Sequence, residues 1–333
     1  MTDNFINDTK NDIFSLFNKT DLRELLFIID SYYLEYRDFL NLPEDITFGV
    51  EIEYEGFLRE KVDSFIRTNF TGWVSKSDGS LKSGGEITSP IMNDNYICWK
   101  ELSQVCCFLD SKRADTYHNA GGHIHIGANI LNDDINSWIL FIKLYTLYEN
   151  ILFRFLYGDK LCGRRGIFKY APPIAEKFYT SITSLEKAKT LKDVGISLPV
   201  HKHLALNLGN VDFYKSKFFS SSKRNTLEFR NPNASTKEVI WQNNINTFTK
   251  MLLTCNKLNV DEELLNYKLR NEFNLNMGNL FLYNEVCLKQ VLEFVDIIFD
   301  NNLDKVYFLR QYLKNFESNM NGLVKIKAKK FIK

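Results

Sequence analysis

Residues 48–57 read FGVEIEYEGF. Val50, Ile52 and Tyr54 alternate with Glu51, Glu53 and Glu55, so an extended chain here has one apolar face and one row of carboxylates. The apolar face belongs on a core. The acids are either open to water or gathered round a cation, because a carboxylate buried without a partner costs several kcal/mol or takes up a proton.

Three other segments have the same texture. In GGHIHIGANI, His123 and His125 share a face opposite Ile124 and Ile126. In TLEFRNPN, Glu228 and Arg230 share a face opposite Leu227 and Phe229, and Glu86 follows Gly85 in GGEITSP. Taken singly, E-x-E is also a solvated sheet face, H-x-H a zinc site or a polar pair, and E-F-R a cross-strand ion pair. Glycines flank each segment: Gly49 and Gly56, Gly84 and Gly85, Gly121, Gly122 and Gly127. They permit close approach of backbone to a ligand. Hard oxygens with one imidazole suit Mg²⁺ or Mn²⁺. Glu55, next to the turn that Gly56 permits, is expected outside such a cluster. A second H-x-H, His201 and His203, reads as a polar strand face near the rim of the cleft.

Around these strands the pattern is largely helical. Apolar residues at helical spacing run through 11–40 until Pro43, and again over about 92–112. Residues 134–157 form a strongly apolar helix expected deep in the core. HKHLALNLGNV (201–211) and NTLEFRNPN (225–233) read as strands, and the chain is helical again from 236 almost to the end. Half-apolar strands joined by helices or hairpins predict a mixed or antiparallel sheet, with helices on one face and a cleft on the other.

Composition narrows the class. The 333 residues are 44% hydrophobic and 25% charged, with net charge +1, so no global field draws the chain to nucleic acid or membrane. The lysines between Lys325 and Lys333 read as a solvated end. The first residues have no basic region before an apolar run, and the longest apolar runs are too short to cross a bilayer. Six cysteines without a C-x-x-C pair argue for free thiols. A cytoplasmic protein is expected.

The ordered pieces FGVEIEYEGF, SDGSLKSGGEITSP, NAGGHIHIGANI, HLALNLGNV and TLEFRNPNAS, from about 47 to 250, resemble the amidoligase family. That family lies within the carboxylate–amine ligases related to glutamine synthetase and glutamate–cysteine ligase. The resemblance implies an α+β fold: a curved antiparallel sheet forming a partial barrel of the glutamine synthetase-like kind, packed by helices. An N-terminal helical extension (1–45), a catalytic domain (46–255) and a C-terminal helical region (256–333) are expected.

The resemblance also implies a reaction. ATP phosphorylates a substrate carboxylate, and an amine attacks the acyl phosphate to form an amide. Carried over by motif, Glu51, Glu53, Glu86, His123 and Glu228 are metal ligands for Mg²⁺ or Mn²⁺. Arg230 holds the transferring phosphoryl group, and Asp78 of the DGS turn binds or deprotonates the amine. His125 supports His123 or touches substrate. Arg164 and Arg165 in CGRRGIFKYAPP (162–173) are the further phosphate- or carboxylate-binding residues. This loop lacks the second cysteine-bearing pattern of many relatives, which implies a different acceptor pocket.

The substrate is a small molecule, peptide or protein side chain, and the terminal helices offer an oligomer contact; neither nucleic acid nor membrane is expected as a partner. Three other readings remain: a phosphotransferase of the guanidino-kinase type, a zinc hydrolase using His123 and His125, and a binding module without activity. The number of carboxylates and the absence of a helical H-E-x-x-H weigh against them.

Overall fold

The computed structural model describes residues 29, 34–116, 118–157, 166–199, 201–213, 225–273, 285–313, 316–318 and 324–326. Most of the expected N-terminal extension, the lysines after residue 326, and Arg164 and Arg165 lie outside these residues.

The described chain is α+β. Its strands are β1 (Phe48–Glu55), β2 (Val74–Lys76), β3 (Gly84–Thr88), β4 (Gly122–Gly127), β5 (Leu206–Asn207) and β6 (Thr226–Phe229). They form an open antiparallel sheet in the order β2-β3-β1-β4-β6-β5. The helices are α1 (Arg59–Asn69), α2 (Tyr96–Ser111), α3 (Ile135–Tyr157), α4 (Ile167–Tyr170), α5 (Ala175–Leu185), α6 (Leu191–Ser197), α7 (Glu238–Asn256), α8 (Glu262–Asn271), α9 (Glu285–Ile298) and α10 (Asn302–Tyr312). A short pair, β7 (Phe316–Ser318) and β8 (Val324–Ile326), follows the last helix, where only helix was expected.

The expected alternation holds in β1. Val50, Ile52 and Tyr54 are buried to within 1% exposure, as are Ile87 and Ile124 on the neighbouring strands. Phe48 stacks on Trp99 of α2 at 5.0 Å, and Phe229 of β6 stacks on Phe248 of α7 at 3.7 Å. Such contacts fasten the apolar face to the helices beneath it. Gly122 makes the closest approach. A Cβ there would lie 2.6 Å from the Trp241 ring and 2.8 Å from the Asn233 carbonyl, so only glycine lets β4 begin against α7. One buried cluster runs from the sheet through α3 and α7 to α9 and α10, so the helices after residue 255 share the core of the sheet.

Residues 34–47 depart from the helical expectation. They run as irregular chain across α7, α10 and the start of α2. Side chains satisfy their backbone. Asp94 accepts the N–H of Leu40 and of Leu42, each at 2.9 Å. Gln242 both accepts from the Arg37 N–H and donates to the Arg37 carbonyl. With these partners fixed, helical hydrogen bonds confer no advantage. The strand expected over 201–211 also shrinks, to Leu206–Asn207, because the chain before it turns and Ala205 donates to the Pro172 carbonyl.

Glu149 of α3 is fully buried and accepts the N–H groups of Ile174 and Ala175 at the start of α5. Burial pushes its carboxyl from 4.5 up to about 7, against the opposing pull of those two donors. A raised carboxyl means that the folded protein keeps a proton that the unfolded chain releases. This contribution is complete below about pH 4.5 and is lost as the pH rises to about 7. Between pH 5 and pH 8 the wild type should therefore lose up to about 3 kcal/mol relative to Glu149→Gln. Denaturant melts of both proteins across that range are the check; parallel pH profiles would refute it.

Candidate active site

Strand register brings the ionisable residues together. Glu51 lies opposite Thr88 on one side and His123 on the other, and Glu53 lies opposite Glu86. His125 is opposite Gly49 and Glu228, and Glu228 is opposite Asn207. Lys76 is opposite Glu86 at the β2 edge. Since each position is an even number of residues from its strand neighbour, all of these side chains stand on the face away from the helices.

Their contacts are close. His123 Nδ1 is 2.8 Å from Glu51 Oε2 and 3.8 Å from Glu228 Oε1, while its Nε2 is 3.6 Å from Glu53 Oε1. Glu53 accepts the N–H of Gly121. Glu228 accepts from Asn207 Nδ2 at 2.7 Å and from the Arg230 guanidinium. Glu86 accepts from Thr88 Oγ1 at 3.0 Å and lies 3.5 Å from Lys76 Nζ. His125 reaches Thr226 Oγ1 through Nδ1 at 3.2 Å, and its Nε2 is 3.3 Å from Glu51 Oε1, off hydrogen-bond direction. It therefore stands beside Glu51 rather than behind His123.

Three overlapping sets each place their donor atoms within 4.8 Å of one another: Glu51, Glu86 and His123; Glu51, His125 and Glu228; Glu53, Asp78 and Glu86. Every residue expected in the metal cluster is in one of them. Asp78, expected near the amine, joins from the turn before β3, where its side chain also accepts the Ser80 N–H. Among the described residues, the buried Nε2 atoms of His123 and His125 have no hydrogen-bond partner. Orphaned imidazole nitrogens beside clustered carboxylates are the donor set that a divalent cation satisfies.

The electrostatics agree with that fit. Burial disfavours the charged form of Glu51, yet the His123 hydrogen bond and the two imidazoles beside it, His123 and His125, outweigh it and hold this carboxyl far below its usual range. Glu86 is shifted the other way: burial and then the charge of Glu51 raise it, against Thr88 and Lys76. Glu55 is set apart, as expected. It accepts the Lys82 N–H and Asn119 Nδ2, each at 2.7 Å, and Gly56 beside it has φ +77°.

Some site residues escaped the sequence reading. Asn207 and Lys76 sit on short strands whose alternation is too brief to reveal a face. His203 was placed on a polar strand; it lies instead in a turn. Burial lowers its pKa first, then the charges of Lys202 and Arg230.

The model of a family described as "putative amidoligase enzyme" matches residues 74–252. The match begins after β1, but β1 pairs with β3 and β4 inside the matched range and so brings Glu51 and Glu53 into the same cleft. No curated protein matches the chain. Among the described residues, no helix is long and apolar enough to cross a membrane. The family match covers more than half of the chain, and the chain belongs to this amidoligase family.

Proposed function

We propose that the protein is an ATP-dependent carboxylate–amine ligase acting through an acyl phosphate. The observation that supports this best is the convergence of five carboxylates, Glu51, Glu53, Asp78, Glu86 and Glu228, with His123 in one cleft beside Arg230.

In this reading a substrate carboxylate oxygen attacks the γ-phosphorus of ATP. The bond from that phosphorus to the β-bridging oxygen breaks, and ADP leaves. The amine nitrogen then attacks the acyl carbon, the C–O bond to phosphate breaks with its electron pair, and the amine gives up a proton. Glu51, Glu53, Glu86, His123 and Glu228 would hold Mg²⁺ or Mn²⁺, whose charge neutralises the phosphates. Arg230 offers a planar fork to the phosphoryl oxygens. The acids around Asp78 attract an amine as its ammonium ion, and Asp78 takes the proton that makes it a nucleophile. The bound acyl phosphate has to be kept from water until that amine arrives.

Two substitutions divide the steps. Arg230→Lys keeps the charge but loses the fork, so phosphoryl transfer should slow more than ATP binding weakens. Asp78→Asn should impair amide formation while leaving some carboxylate-dependent ADP release. ADP and amide product are measured together, with ATP alone and with carboxylate and amine pools. Turnover that no amine increases, with a phosphorylated guanidino product, makes the protein a kinase. Peptide or amide hydrolysis that needs zinc but no ATP makes it a hydrolase.

Glu53→Gln tests the cation. Its amide oxygen still accepts the Gly121 N–H, and one of several like charges is removed, so stability in chelator should be equal or higher. Activity should fall by about 100-fold or more, and the rise in melting temperature that Mg²⁺ gives the wild type should shrink. A large drop in melting temperature in chelator, with an unchanged response to Mg²⁺, would instead give Glu53 a structural role.

A further inference from the structure

We propose that the nucleoside part of the nucleotide binds in a cavity of about 600 Å³ at the Gly49 end of the sheet. This rests on the ATP-dependent reading above. The volume is in the range of small-molecule sites. The cavity adjoins the acid cluster through His125, Thr88 and Lys76.

At Gly49 its floor continues the ionisable face without a side chain, and over Gly127 it is bordered by Thr47 Oγ1 and Asn129 Oδ1. Two residues along β1 from Glu51 is Gly49, and two residues along β4 from His125 is Gly127; both line the cavity. Between Glu51 and Gly49 the sheet advances about 7 Å and changes from carboxylates to bare backbone. A flat floor suits a planar ring. Val74 and Ile91 flank it with aliphatic surface, and they are 48% and 83% exposed, which leaves apolar area for a ligand to cover.

Charge distinguishes the ligand. Among the described lining residues, Lys76 alone is permanently charged, and it stands at the Glu86 edge. A free amino acid would need partners here for both an ammonium and a carboxylate. A nucleobase needs neither, and Asn129, Asn225 and Thr47 supply neutral polar edges. A similarly large cavity of about 680 Å³ lies between α8 and α9, lined by Lys268, Glu272, Glu293 and Asp296, but none of its lining residues belongs to the sheet. Position agrees as well. Arg230 is on the β6 side of His123, and Asp78 is beyond Glu53, so the reacting end of the nucleotide faces away from the glycine floor. A polyphosphate chain laid over Glu51 and His123 then ends in the cavity.

The test compares ATP with inorganic triphosphate, both with Mg²⁺, by calorimetry on the full chain. Gly49→Val raises the floor; a Cβ at Gly49 meets nothing closer than 3.4 Å, and unchanged triphosphate affinity in the variant reports that the strand holds. Val74→Ser removes an exposed apolar wall. Gly49→Val should weaken ATP at least about tenfold and Val74→Ser by less, while triphosphate changes little in either. Adenosine should compete with ATP in the wild type. ATP affinity unchanged in Gly49→Val, or equal losses of ATP and triphosphate in both variants, overturns the assignment and leaves the ligase reading standing. A wild type that binds neither ATP nor adenosine overturns both.

Discussion

The pairing register of β1 is the constraint on which the rest of the molecule depends. Side chains in a strand alternate with a period of two, so sliding β1 by one residue would turn Glu51 and Glu53 into the core and Ile52 and Tyr54 into the cleft. The register is held from both sides: Ile52 faces Ile87 across β3, and Val50 faces Ile124 across β4. Gly84, at φ +145°, adds a stop. A Cβ there would sit 1.9 Å from the Tyr54 carbonyl oxygen, so β3 can start only where glycine stands. Burial of the apolar face therefore sets the ionisable one, and the chemistry inherits its geometry from hydrophobic packing.

That inheritance has an electrostatic cost. Five acids crowd a partly desolvated face, and like charges at short range raise one another, as Glu51 does Glu86. The chain offsets part of this with its own cations and donors: two imidazoles beside Glu51, the Gly121 N–H on Glu53, Asn207 and Arg230 on Glu228. Ionisable groups elsewhere in the core are treated differently. Glu149 takes the N–H groups at the start of a helix, and the buried Lys143 reaches two exposed glutamates, Glu186 and Glu262. Each of those has partners enough within the chain. The cleft does not, since two buried imidazole nitrogens end there without a partner among the described residues. Imidazole nitrogens left open beside clustered carboxylates are donors that a bound cation would satisfy.

What was legible in the sequence follows from these physics. β1, β4 and β6 alternate long enough to show two faces, and the central helix α3 is apolar on most sides, so the sheet and its core helix could be read directly. Asn207 and Lys76 could not, because their strands run two and three residues. Residues 34–40, the end of the stretch read as helix by spacing, are irregular because Asp94 and Gln242, more than fifty residues away, fix their backbone. Gln242, Asn243 and Asn244 of α7 are likewise buried, with Arg37, Tyr307 and Gln311 as partners. Long-range side-chain hydrogen bonds leave no periodic trace in a sequence.

One sheet face thus carries two kinds of surface in series. Around Glu51, Glu53 and His123 it is dense with carboxylates, where divalent cations would be held and, in the proposed reaction, a polyanion through them. At Gly49 it is bare, bordered by aliphatic side chains, where affinity would come from covering apolar area. Separating the two has a mechanistic use. In the proposed reaction, affinity gained in the apolar part would be the same before and after phosphoryl transfer, so it would anchor the nucleotide without favouring either state. The charged part is where interactions can strengthen as bonds change, and only those lower the barrier. The alternation that began with FGVEIEYEGF divides the fold twice: across the strand into core and cleft, and along it into anchoring and chemistry.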